Sequence, residues 1–201
     1  MMESVISRGI IESVIYLFIM AGLVVIHEFG HLLAGFMLGI PKKRMSIQFV
    51  DRKPEKGLMR SLVFSISPHI VLLDNKNSKV SPSPNEMEKY VGILEQFIPS
   101  EKKMFWFVAG GHTFELIIVL SMAIVSIISN HNLLFEMSFR ITHMSLVLDI
   151  IYLLIDLFSA LKSKELTGGD FSGQWAISPI KTIIFYAFYF TTLISAWILL
   201  K

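Results

Sequence analysis

Two histidines four residues apart with a glutamate between them, His27-Glu28-Phe29-Gly30-His31, are the residues of this chain best suited to chemistry. On a helix, residues four apart lie ~6 Å apart along the axis and ~40° apart around it, so both imidazoles stand on one face. That spacing suits two ring nitrogens on one zinc ion, with Glu28 beside them to take a proton from a zinc-bound water. The pair does not complete a catalytic centre. Three protein ligands and one open position are usual, so a third donor must come from another part of the chain. The HExxHxxGxxH extension of soluble zinc proteases is absent, because Ala34 and Met37 occupy its glycine and third histidine positions. Glu55 sits in a Lys-rich turn beyond a helix break, with no helical motif around it. Three aspartates late in the chain remain: Asp149, Asp156 and Asp170.

The element that carries the motif is apolar from Ile10 to Gly39, longer than a signal peptide, and reads as a retained membrane span. Hydrophobic residues make up 53% of the 201 and charged residues 17%, with a mean hydropathy of +0.62. The apolar residues fall in runs of bilayer length that are apolar all round, not in the stripe of a soluble helix. A net charge of +2 gives no basis for nucleic-acid binding. The absence of cysteine removes thiolate metal sites and disulfides. Ionisable residues inside apolar spans are costly to bury, which makes His27, Glu28 and His31 functional candidates on energetic grounds alone.

The sequence predicts an all-α polytopic membrane protein, one domain over residues 1–201, with about four transmembrane helices near 10–39, 104–129, 139–161 and 176–200. Gly35 and Gly39 form a small-xxx-small pair, a surface for another helix or for a homo-oligomer. Pro41 ends the first helix. Met45–Val50 and Arg60–Ile66 read as strands of a small β-hairpin, and Leu62–Leu73 is too short to span and suits a strand or re-entrant segment. Asp74–Pro84 is a loop. Asn85–Lys103 is a charged, partly amphipathic helix broken at Pro99. Lys and Arg concentrate in 40–103 and 162–175, so the positive-inside rule puts these segments in the cytoplasm, both termini outside, and the motif in the cytoplasmic half of its span. The 162–175 loop carries Thr167-Gly168-Gly169-Asp170 on that same side. Asp149 and Asp156, seven apart, share a helix face, where buried carboxylates bonded to neighbouring hydroxyls are the plainer expectation. For His112 and Glu115, three apart, a polar helix contact is expected at least as much as a place facing the motif. His69 and His131 are expected to have no part in the chemistry.

Read together, these features resemble the site-2 protease family of intramembrane zinc metalloproteases. HEFGH fits the family's HExGH, Gly30 included. Ala109-Gly110-Gly111-His112-Thr113-Phe114-Glu115-Leu116 is similar to its AGPxxN core-span start, with His112 and Glu115 in the proline and asparagine slots. Ile155-Asp156-Leu157 followed by Gly169-Asp170 resembles its Asn-Leu-x-Pro…Asp-Gly stretch, whose aspartate is the third zinc ligand. The resemblance implies Zn²⁺ on His27, His31 and Asp170, with Asp156 the runner-up, and Glu28 as catalytic base. It implies a metalloendopeptidase that cuts a membrane protein substrate in or near a transmembrane segment, in the cell membrane and toward the cytoplasm. The alternative is a non-catalytic membrane scaffold or an immunity-type relative that keeps the fold without proteolysis. A metal transporter ranks last, because the ligands cluster at one site and no inverted repeat is visible.

Overall fold

A computed structural model describes residues 2–49, 68–83, 85–163 and 169–201. Helix α1 (Met2–Leu38) leads into a 3₁₀ turn at Lys42–Arg44 and strand β1 (Met45–Gln48). Strands β2 (His69–Leu73) and β3 (Lys79–Val80) follow, then helices α2 (Met87–Phe97), α3 (Glu101–Val108), α4 (Gly110–Ser129), α5 (Asn132–Ser163), α6 (Asp170–Ile177) and α7 (Pro179–Leu199). Four helical segments are long and apolar enough to cross a membrane: Gly9–Leu38, Gly110–Ser129, Asn132–Ser159 and Pro179–Leu199. The fold class expected from the sequence is therefore the one observed.

Helix α5 shows why these are membrane helices. Its buried face is polar, with Ser138, Thr142, Ser145, Asp149 and Asp156 all below 10% exposure, while Ile150, Ile151, Leu154 and Ile155 point outward. A soluble helix does the reverse; a hydrocarbon surround makes this arrangement favourable. Between the spans, Leu23 of α1, Leu116 and Val119 of α4, and Tyr189 and Leu193 of α7 form an apolar core.

The first helix ends one step earlier than Pro41 suggests. Gly39 takes φ +114°, the Gly39 amide reaches Phe36 O at 3.3 Å, and the Ile40 amide reaches Gly35 O at 2.9 Å. This is a Schellman termination, which a residue with a Cβ disfavours. Gly39 is thus a cap, and a Cβ on it would meet open space, whereas one on Gly35 would strike Met45. Gly35 seats Met45 of the sheet and the Phe107 ring of α3, while Gly39 serves as the cap.

The sheet has order β1-β2-β3 and is antiparallel throughout, with Met45 opposite Leu72, Gln48 opposite His69 and Leu72 opposite Val80. The strand beside β1 is therefore His69–Leu73; the Arg60–Ile66 strand lies outside the described residues. Helix α2 lays Tyr90, Ile93 and Leu94 over Ile70, Leu72 and Val80, an i, i+3, i+4 face as expected for an amphipathic helix. The Lys89 ammonium bonds Asp74 Oδ2 at 2.8 Å and, with the Ser78 and Lys76 amides, holds that carboxyl below its usual range.

Three boundaries differ from expectation. Met104–Val108 belongs to α3, and the span begins at Gly110 after a break at Ala109, because Pro99 stops α2 and Ser100 starts a new helix. The 130–138 connector shrinks to two residues, since Asn130 closes α4 at φ 49° and Asn132 already opens α5. The 162–175 segment is helical from Asp170, and Pro179 at the first turn opens the last span.

Candidate metal centre

The spacing of His27 and His31 places both on one face of α1, and that face meets the start of α4. Glycine makes the approach possible. A Cβ on Gly30 would lie 2.5 Å from the Gly110 carbonyl oxygen, and one on Gly111 would lie 2.5 Å from His31 Nε2. Gly111 is therefore the seat for the two imidazoles, which any larger residue there would displace, while a Cβ on Gly110 would strike Ala34 of α1.

Each imidazole is tied on its outer nitrogen. His27 Nδ1 lies 3.1 Å from Glu115 Oε2, and His31 Nδ1 lies 3.0 Å from the buried Phe107 carbonyl near the end of α3. Both acceptors call for a proton on Nδ1, which leaves the lone pair of a neutral ring on Nε2. The two Nε2 atoms are 3.2 Å apart, and both face Asp170 Oδ2, at 2.8 Å from His27 and 3.1 Å from His31. Three lone pairs this close repel one another unless a cation or a proton lies among them. Ligands ~2.0–2.1 Å from a tetrahedral zinc are about 3.3 Å apart, close to these separations. Outer hydrogen bonds from ligand histidines to a carboxylate and a backbone carbonyl are also what zinc ligands use to fix their tautomer. The donor set fits zinc.

Asp170 is the first residue of α6, and Asp156 holds it there. Asp156 Oδ2 accepts the Ser172 amide at 2.7 Å, capping α6 from α5, and a Cβ on Gly169 would collide with the Asp156 carboxylate. Asp156 thus positions α6, while Asp170, with no capping bond of its own, is turned to the histidines. Burial acts to raise the Asp170 carboxyl, but the imidazoles of His31, His112 and His27 outweigh it and hold it well below the usual range.

Glu28 is half-buried beside the pair, within electrostatic reach of His31, His27, Asp170 and His69, and makes no hydrogen bond among the described residues. Such a carboxylate is free to accept a proton. Tyr90 of α2 is buried near Glu28 and Asp170, and burial followed by these two carboxylates pushes its phenol up. It stays a neutral donor.

Behind His27 lies a second polar layer. Ser145 donates to Glu115 Oε1 at 2.7 Å, and Tyr189 donates to Asp149 Oδ2 at 2.6 Å. His27, Glu115 and Asp149 offer one donor atom each within 4.8 Å of one another, as do His27, His112 and Asp170. His112 is buried, with Nδ1 3.3 Å from Asp170 Oδ2.

The structure thus brings together His27, Glu28, His31 and Asp170, and turns Asp156 to a helix N-terminus. Sequence reasoning gave His112 and Glu115 no more than an even claim to the site and left Tyr90 and His69 out. A signal was available for the first two: both sit on the α4 face that Gly111 opens, at i+1 and i+4. Tyr90 and His69 come from the sheet and the helix over it, and no spacing in the chain links them to the motif. Compared with protein families, curated proteins and solved structures, the chain matches none.

Proposed function

We propose that this chain is an intramembrane zinc metalloendopeptidase that hydrolyses a peptide bond in or near a transmembrane segment of a membrane protein. One observation carries the reading: two histidine Nε2 atoms and an aspartate oxygen converge within 2.8–3.2 Å, with both Nδ1 atoms tied off. His27, His31 and Asp170 would hold zinc, which when bound supplies a Lewis acid for a carbonyl and lowers the pKa of water. Glu28 takes the proton of the attacking water and gives it to the leaving amine, a role its unbonded carboxylate suits.

A substrate helix must unwind before its carbonyls are available, since in lipid they are bonded within the helix. Strand β1 is an edge among the described residues, and an extended segment can pair with it. The Lys and Arg pattern supports a cytoplasmic location for the centre. The non-catalytic reading draws support from one contact, His112 against Asp170, because structural zinc sites are closed by a fourth protein ligand.

Glu28→Gln separates the two readings. Membranes from cells expressing the parent chain should yield new protein N-termini within or next to transmembrane segments. The variant should lose them at least ~100-fold while keeping its metal. The same set of new termini from both proteins would reject the mechanism.

A further inference from the structure

Among the described residues, His112 is the one imidazole beside Asp170 with no hydrogen bond on its inward nitrogen. Its side chain is 7% exposed, Nδ1 lies 3.3 Å from Asp170 Oδ2, and that nitrogen has no hydrogen-bond partner. The separation matches the spacing between the other donors, and His27, His112 and Asp170 already satisfy a ligand-group geometry. His112 thus brings a ring nitrogen within the spacing at which one ion could be shared with His27 and Asp170.

The outer side of the ring differs from those of the other two. His27 Nδ1 and His31 Nδ1 are anchored at 3.1 and 3.0 Å, whereas His112 Nε2 is 3.8 Å from Asp149 Oδ1, beyond hydrogen-bond range. Asp149 spends its contacts on Tyr189 and Ser145 instead. The ring is otherwise held by aromatic edges, with centroids 4.6 Å from His27 and 5.2 Å from both Tyr186 and Tyr189. Edge contacts keep a ring in place without fixing its rotation as an outer hydrogen bond does.

We infer that His112 is a fourth, releasable donor that caps the centre at rest, so that the metal's open position appears only when His112 swings away. This rests on the zinc centre proposed above and adds its regulation. Three firmly oriented ligands, His27, His31 and Asp170, keep the ion. The loosely oriented fourth yields to an incoming carbonyl or water, so an idle centre is shielded from adventitious ligands.

The test uses the full-length chain in detergent, loaded with cobalt(II) in place of zinc, with azide as a small probe ligand. The parent protein should show the visible bands of a four-donor centre and respond weakly to azide. His112→Phe keeps the aromatic packing and removes the donor. Its bands should shift, it should bind azide at least ~10-fold more tightly, and its zinc affinity should fall by ~10-fold or more. His112→Ala should behave likewise, and added imidazole should restore the parent spectrum, which a purely structural role would not produce. Identical spectra and azide responses in parent and variants would overturn the proposal and leave the three-ligand centre standing. A parent chain that takes up neither cobalt nor zinc would overturn both. Thermal unfolding of the metal-free proteins identifies a variant that has failed to fold, in which case the other variant decides.

Discussion

Charge is concentrated in this bundle at two places, one largely exposed and one buried, and the two are built differently. Near the start of α1, Arg140 of α5 grips Glu12 with both guanidinium nitrogens, donates to Glu136 at 2.6 Å, and lies over the Tyr16 ring at 5.8 Å. Each carboxylate there has its cation within the protein. Further along the same helix, Glu28, Glu115, Asp149 and Asp170 gather around three imidazoles, and none has a Lys or Arg partner among the described residues. Membrane interiors penalise uncompensated charge heavily. The first cluster is complete as a structural tie. The second requires protons or a cation from outside, and its donors are spaced for one dication. The same cost is met by internal pairing in one place and, on the proposed reading, by a bound zinc ion in the other.

The contrast can be tested by perturbing each cluster. Glu115→Ala removes the acceptor that orients His27, and should weaken zinc binding by ~10–100-fold in competition with a chelator, while Ser145 and Asp149 repack. Gly30→Ala drives a methyl group into the Gly110 carbonyl and should cost about 1–3 kcal/mol in thermal unfolding, with weaker zinc binding because both imidazoles must shift. Gly22→Ala on the same helix, with nothing within 4 Å of its Cβ, should instead be neutral or stabilising by up to ~1 kcal/mol. Arg140→Met should have the smallest effect, about 0.5–1 kcal/mol, because Glu12 and Glu136 are well exposed and screened, and it should leave zinc affinity unchanged. A loss of zinc with Arg140→Met would merge the two clusters into one and remove the distinction.

Much of this was legible because it depends on short-range rules. Apolar run length gives the spans, and i, i+4 spacing gives the histidine face. The Pro99 break and the amphipathic α2 follow from local composition. The roles of Asp156 and Asp170 were harder to separate, since both are single aspartates near glycines. Only the packing of α5 against α6 turns one toward a backbone amide and the other toward the imidazoles. His112 and Glu115 look like an ordinary polar pair in a helix until the Gly30–Gly110 crossing sets their distance from His27. Pro41 is the more visible helix breaker, yet Gly39 ends α1, because the left-handed turn precedes the proline by two residues. Where a position depends on a crossing between distant helices, sequence spacing has no access to it.

The most direct test of the central claim is metal analysis of the purified chain beside Asp170→Ala. The parent chain should hold about one zinc tightly and Asp170→Ala should lose it, with both proteins folded. A parent chain free of zinc, or a variant that keeps it undiminished, would contradict the account.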